Sequence, residues 1–421
     1  MARGEYYDGK AIRTPEARPG FLMWLVDGAL LVLSVVDLLL LLVVGIVPLV
    51  NPAYLWALPM LGMVAPAIYL TAVVLMLYWV VRWKLLRAAV LAIPVVIGMF
   101  SVSLFWCFDS QRNELLRSQL QMVEEEIPRI EQDASMDQAT RDDQLYRLRR
   151  RQRILKRNLQ PDKTIKALTF NVRSFYGDDC ESAADAVASL IDSLKPDIIC
   201  LQEFNGPLAD RSERFQQLLG RYQQAYFGRA KDAVRPQMIL STHKIIASGV
   251  VLTPHSSVWA DLRIGQDTVR VVSNHLHSTG ITALDNAYIT GYEYLSDTAR
   301  DVKIRSIIDR FHDNSLLRAA QVDSICHHLD SLAPSMRLIC GDFNDTPISY
   351  TYRRLKRRMQ DAFSEAGGGY SHTFRGFFNA LRIDYVLLSR QFEVLGYETI
   401  DNTASDHLPV LVSFRKHTLY H

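Results

Sequence analysis

Residues 21–108 are almost continuously apolar, and no other feature of the chain restricts its fold as strongly. A bilayer crossing takes about 20 mostly apolar residues. The sequence offers three such runs, Phe21–Val47, Tyr54–Val81 and Leu86–Phe108. Helices of a buried soluble bundle would show polar faces at helical spacing, and these show almost none. A cleaved signal peptide does not fit either, because the first run is too long and two more follow it. Asp27 and Asp37 lie in the first run. Acids inside a span are costly. They are expected at an interface, against the other helices, or at a functional position.

Lys and Arg flanking the runs set the orientation. The amino tail, residues 1–20, carries Arg3, Lys10, Arg13 and Arg18, and the second link carries Arg82, Lys84 and Arg87. The first link, around Asn51-Pro52, carries none. This pattern predicts a cytoplasmic tail and second link in an inner or plasma membrane. Three crossings then put everything after Phe108 outside the cytoplasm. Trp79, Trp83 and Trp106 fall near the expected span ends, as interface aromatics do.

Residues 109–160 read as a helical stalk, rich in Glu, Gln, Arg and Leu and free of Gly. Two helices are expected, about Ser110–Gln132 and Asp137–Leu159, with Pro128 kinking or ending the first. Glu124–Glu126 in one and the basic run Arg147–Arg157 in the other would meet in an antiparallel hairpin; separate solvated helices are the other reading. The five cysteines draw no disulfide framework. Cys107 falls in a span, and Cys200 and Cys340 sit in apolar strand-like runs as small hydrophobes. Cys180 and Cys326 are left, and their pairing stays open.

From residue 163 to 421 the composition changes to short β-branched runs alternating with helical stretches, including a helix around Leu316–Leu332. That pattern predicts a mixed domain of two packed sheets. Its acids and bases balance, which excludes an indiscriminate duplex binder. Polar residues recur where the strands end: Asn171, Glu203, Asn274, His275, Asp342 with Asn344, Asp384, and Asp406-His407. A strand-end Asp or Asn is ordinarily a turn or cap residue. A set this rich in carboxylate, amide and imidazole points instead to a divalent cation held by oxygen ligands and to phosphate chemistry. Zinc spacing, GxxxxGK[ST] and GxSxG are all absent from the sequence.

The order LTFN, LQE, NHL, GDFN, IDYVL and SDH resembles the endonuclease/exonuclease/phosphatase superfamily, with the deoxyribonuclease I-like fold, over about Lys163–Phe414. The resemblance implies a four-layer α/β sandwich, an α+β class fold, set here behind three transmembrane helices and the stalk. It implies phosphoester hydrolysis with Mg²⁺ or Mn²⁺ by in-line attack of an activated water. Carried over by position, Glu203, Asn171 and Asp406 are the metal residues. Asp342 manages the water, Asn344 contacts the phosphate, and Asp384 orients His407, which acts as base or transition-state stabiliser. His275 fills a further catalytic position, with His277 as the alternative if the register shifts. The substrate is left as nucleic acid, a phospholipid headgroup or a small phosphoester, monoester or diester. The alternative function is a catalytically inactive, membrane-tethered scaffold of the same fold.

Two further sequence expectations concern neighbouring segments. The cluster Arg353–Arg358 either meets phosphates or forms a solvated helix face. The segment Thr279–Asn314, after the His275 strand, is expected to shape the pocket.

Overall fold

The first apolar run folds as one helix, Phe21–Ile46, and the second as Leu58–Val81. The computed structural model describes residues 20–417 except 56, 99–100, 102, 108–111, 134, 159–163, 176–179, 228–235, 253–255 and 331–335. The basic amino tail thus lies outside the described residues. Both helices are long and apolar enough to cross a membrane.

The third run differs from expectation. Its helix is Leu85–Ile97, only 13 residues, with Pro94 inside it. At 1.5 Å per residue it measures about 20 Å, short of a ~30 Å hydrocarbon layer. The residues expected to complete the span join the other end of the chain. β1 (Trp106–Cys107) pairs antiparallel with β11 (Gly369–Tyr370). Leu104 O accepts from Arg382 Nη2 at 2.8 Å, and Ser371 N donates to Phe105 O at 3.1 Å. These partners take up carbonyls that a continuing helix would have bonded to itself.

The chain forms two units, Met1–Leu42 with Ala67–Ile97, and Val43–Pro66 with Gly98–His421. In the first, Asp27 accepts from Tyr78 OH at 2.6 Å and pairs with Arg82 Nη2 at 2.8 Å. Asp37 is buried. Both acids of the first run therefore turn away from the open surface of the helix.

In the second unit the stalk is an antiparallel hairpin of Arg112–Gln132 and Gln138–Asn158. Acid does face base: Lys156 Nζ meets Glu124 Oε1 at 2.8 Å and Arg149 Nη2 meets Glu131 Oε1 at 2.8 Å. These exposed pairs set the register more than they stabilise it, at roughly 0–1 kcal/mol each.

Two six-stranded mixed sheets follow. One joins β10 (Met359–Asp361), β12 (Asp384–Ser389), β9 (Arg337–Asp342), β8 (Asp267–His275), β7 (Ser257–Ile264) and β6 (Lys244–Leu252), in that order. The other runs β13 (Phe392–Thr399), β14 (Val410–Lys416), β2 (Ile165–Asn171), β3 (Ile198–Gln202), β5 (Gln237–Ser241) and β4 (Gln223–Phe227). Side chains alternate across a strand, so β3 sends Ile198 and Cys200 into the core between the sheets. It sends Ile199 and Leu201 outward, where Val187, Ile191 and Phe215 of the flanking helices cover them. Central strands covered on both faces explain why these runs read as unbroken apolar stretches.

The long helix against the first sheet is Arg300–Asp330, beginning 16 residues before the sequence places it. Val322 and Ile325 lie on its buried face. Cys200 and Cys340 are buried as free thiols, and Cys107 and Cys326 are free as well. Cys326 Sγ lies 3.5 Å from Arg354 O. The Cys180 side chain lies outside the described residues.

One glycine fixes how closely β8 and β9 approach. Gly341 has φ +118°, and a Cβ there would stand 2.0 Å from Asn274 O. Gly341→Ala is expected to cost about 3 kcal/mol, from backbone strain and overpacking together. It should show as a lower thermal midpoint of the detergent-solubilised chain; an unchanged midpoint would contradict the close approach.

Candidate active site

The strand ends converge. β8 and β9 are parallel with His275 opposite Asp342, and β12 runs antiparallel to β9 with Asp384 opposite Asp342. From the other sheet, β2 delivers Asn171 and β3 delivers Glu203 immediately after its last residue. The Asn171 amide bonds across the two sheets at the site: its Nδ2 donates to Glu203 Oε1 at 3.2 Å and to Asp342 Oδ2 at 3.1 Å.

The spacing of Asp342 and Asn344 has a cause other than strand alternation. β9 ends at Asp342, and Asn344 has φ +51°. That left-handed turn folds the Asn side chain back, so its amide donates to Asp342 Oδ2 at 3.0 Å and to Leu276 O at 3.2 Å. Its backbone N donates to Asp342 Oδ1 at 2.8 Å. Glu203 also sits at positive φ, +52°. Such conformations cost on the order of 1–3 kcal/mol and persist where the surroundings hold them.

His275 ends β8, so the strand does not continue to His277. His275 Nε2 lies 3.4 Å from Glu203 Oε1 and 3.9 Å from Asp342 Oδ2. His277 instead takes Gln321 Oε1 on its backbone N at 2.8 Å. His407 Nδ1 meets Asp384 Oδ2 at 2.9 Å, and its Nε2 lies 3.8 Å from Asp342 Oδ2. Asp406 faces Arg173 at 3.6 Å, at the exposed rim.

Electrostatics separates the roles. Burial alone would lower the pKa of His407, but the carboxylates of Asp384, Asp342 and Asp406 outweigh it and hold the imidazole up at about 10. Burial pushes Asp342 up to about 7; the positive charge of His407 opposes this and Asp384 adds to it. His407 is therefore an imidazolium at neutral pH, while Asp342 titrates near neutrality.

The sequence reading passed over several supports. Thr373 Oγ1 accepts the backbone N of Ile383 and of Asp384 at 2.9 and 3.0 Å. The Phe374 ring packs on His407 at 5.1 Å between centroids. Buried Arg318 donates to His277 O and Ser278 O and lies 3.5 Å from Asp345 Oδ2. Nothing in their local sequence marks them. Ser405, whose Oγ donates to Asn171 O at 2.8 Å, does stand in the SDH motif. Within the basic cluster Arg354 has a structural partner, its Nε pairing with Asp323 Oδ1 at 2.6 Å, while Arg353, Arg357 and Arg358 are exposed.

A family model described as Endonuclease/Exonuclease/phosphatase family matches residues 168–407, more than half of the chain and every residue of this site. The chain belongs to that family. No curated protein matches it in sequence. Among solved structures it resembles the endonuclease/exonuclease/phosphatase from Bacteroides vulgatus, at 16% identity and TM-score 0.43, over 61% of this chain and 100% of the other. A humanised TDP2 from D. rerio gives 14% identity and TM-score 0.45, over 60% and 99%. The human Nocturnin catalytic domain gives 18% and 0.43, over 60% and 95%. Likeness at this level decides nothing about activity.

Proposed function

We propose that the protein hydrolyses a phosphoester with a divalent cation, by in-line attack of water activated at Asp342. The observation that carries this reading is geometric: buried Asp342 faces the Asn171 amide, 3.1 Å away, on one side and His407, locked by Asp384 and 3.8 Å away, on the other. Asp342 can take a proton while His407 donates a hydrogen bond, and water-driven ester cleavage needs both.

The residues present fit a hard cation such as Mg²⁺ or Mn²⁺. Asp342, Asp384 and His407 offer ligand atoms within 4.8 Å of one another, and Asp384 Oδ1 is buried with no hydrogen-bond partner among the described residues. His407 is the weakest member of that trio as a ligand, because its Nδ1 is committed to Asp384 and an imidazolium must first lose a proton. The cation would instead be held by Glu203, Asn171 and Asp342, oxygen donors of the kind it prefers, with Asp406 nearby at the rim. A bound cation neutralises charge on the phosphate oxygens.

The protein's own residues supply the rest. The water oxygen bonds to phosphorus as the opposite P–O ester bond breaks, and the water's proton passes to Asp342. His407 donates from Nε2 to a phosphate oxygen, and the Asn344 amide, bonded to Asp342 Oδ2, holds the carboxylate that takes the proton. The departing alkoxide takes its proton from solvent.

The experiment is hydrolysis of bis-(p-nitrophenyl) phosphate by the full chain in detergent, titrated with Mg²⁺ and with EDTA. Glu203→Gln removes one charge from the cation set and is expected to raise the half-saturating Mg²⁺ concentration at least tenfold. An unchanged Mg²⁺ titration would remove Glu203 from the set. Activity indifferent to EDTA would overturn the cation-dependent reading.

A further inference from the structure

The link between the first two apolar helices packs directly on the loop that follows the site. Asn51 Nδ2 donates to Asp323 Oδ2 at 3.4 Å, and Tyr350 OH holds the same carboxylate at 2.8 Å. Gly62, inside the Leu58–Val81 helix, approaches so closely that a Cβ there would stand 2.5 Å from Ile348 O and 3.2 Å from Thr346 Oγ1. Thr346, Ile348, Leu58 and Ala65 are all buried. Thr346 is two residues beyond Asn344, a reach of at most about 7 Å. The helix has 24 residues, hence about 36 Å of length against a ~30 Å hydrocarbon layer. Gly62 lies four residues from the start of this helix, so the loop beyond Asn344 packs on the first turns of a helix long enough to cross a membrane.

A second, independent feature points the same way. Beside His407, Arg375 N donates to Asp406 O and Phe377 N donates to Asn286 Oδ1. The second bond joins the loop after Phe374 to the segment of Thr282–Ser296. Both segments carry exposed apolar side chains: Leu284 at 82%, Leu295 at 70%, Phe378 at 62% and Tyr292 at 55%. Tyr292 and Phe378 come within 6.3 Å of each other. Large exposed apolar side chains on segments that adjoin a polar site mark a surface that meets something apolar.

We propose that the phosphoester taken by this site is carried by a membrane lipid, and that Leu284, Tyr292, Leu295 and Phe378 form the lip that meets the bilayer around it. This deepens, and rests on, the phosphoesterase reading above. A lipid substrate presents a charged phosphate at the headgroup level with apolar chains beside it. The site has the same order, with His407 and Asn344 inside and the apolar lip outside. Burying apolar side chains in the interface strengthens lipid capture and leaves the chemical step unchanged.

The test uses the full chain in detergent micelles with Mg²⁺ and two substrates in parallel. One is mixed phosphatidylcholine, phosphatidylethanolamine and phosphatidylglycerol co-dispersed in the micelles, with headgroup release followed by phosphorus NMR. The other is soluble bis-(p-nitrophenyl) phosphate. The variant is Leu284→Ser with Leu295→Ser, both exposed and outside the catalytic set. The expected result is lipid hydrolysis by the parent chain, at least tenfold weaker in the variant, with the soluble diester cleaved equally by both. Cleavage of the soluble diester without lipid hydrolysis, or with lipid hydrolysis indifferent to the variant, overturns the lipid proposal and leaves the phosphoesterase reading standing. A variant-sensitive cleavage of a single-stranded oligonucleotide in place of lipid assigns the lip to bases and also overturns it. Loss of both activities in the parent chain defeats the phosphoesterase reading itself.

Discussion

His407→Ala is expected to lower kcat on bis-(p-nitrophenyl) phosphate by about 10²–10⁴-fold, the range for a group that hydrogen-bonds or exchanges a proton in the transition state. The ring is 7% exposed, paired with Asp384 and packed on Phe374. Its removal leaves a buried carboxylate unpaired, so some stability is lost as well. Asp384→Asn separates the two effects: the ring stays packed but loses the charge that keeps it protonated. The pH profile carries the sign. Asp342 must be ionised, so activity falls as pH drops through about 7. His407 must be protonated, so activity falls again as pH rises through about 10. Saturating Mg²⁺ favours the carboxylate form and moves the acid limb lower. In Asp384→Asn the alkaline limb should move down toward the ordinary imidazole range. An alkaline limb that stays in place would mean that His407 does not need its proton, and the assignment of donor and base would fail.

How much of this site the sequence could show depended on chain geometry. The strands were legible because β2, β3, β8, β9 and β12 are covered on both faces and read as unbroken apolar runs that stop at a polar residue. Asn171, His275 and Asp342 are the last residues of their strands and Asp384 the first of its own, so the chain itself announces them. The reason for the Asp342–Asn344 spacing was not legible, because it rests on a left-handed φ that a sequence does not print. The third apolar run misled for a related reason. Hydropathy counts Leu104 and Phe105 as lipid-facing, whereas their carbonyls are bonded by Arg382 and Ser371, residues 278 and 266 positions away. Arg318 and Phe374 were silent for the same cause: their roles exist only after the long helix and the Phe374 loop have packed beside His275 and His407.

Arg382→Met is expected to cost about 3–5 kcal/mol, a large share of the stability of a domain this size. Arg382 and Asp361 are both fully buried, joined by Nη2 to Oδ2 at 2.8 Å and Nη1 to Oδ1 at 3.2 Å. The guanidinium also lies 4.7 Å over the rings of Phe363 and Tyr385 and bonds Leu104 O. Methionine keeps much of the stem volume but abandons the Asp361 charge. Burial alone would raise Asp361, and Arg382 outweighs this to hold it below the ordinary carboxylate value of 3.8. In the parent chain the pair's contribution is therefore present above that value and lost as pH falls through the lowered pKa. In Arg382→Met the sign reverses. Asp361 is left buried without its cation and retains a proton above its unfolded value, so the variant is least unstable in acid and weakens further as pH rises. Adding Asp361→Asn should recover most of the loss, because the amide oxygen still accepts from Phe363 N, and the NH2, standing where Oδ2 now takes Tyr352 OH at 2.6 Å, can donate to that rotatable hydroxyl, all without a charge. Thermal midpoints of the three chains at acid and neutral pH test this. Equal midpoints for Arg382→Met and the double variant at neutral pH would mean that the lost stability is packing rather than an uncompensated charge. If Leu104 is fastened to this unit through Arg382, a protease site placed beside Trp106 should be cut faster in Arg382→Met and, lacking the guanidinium, in the double variant too. Protection restored by Asp361→Asn would instead assign the fastening to the ion pair as a whole.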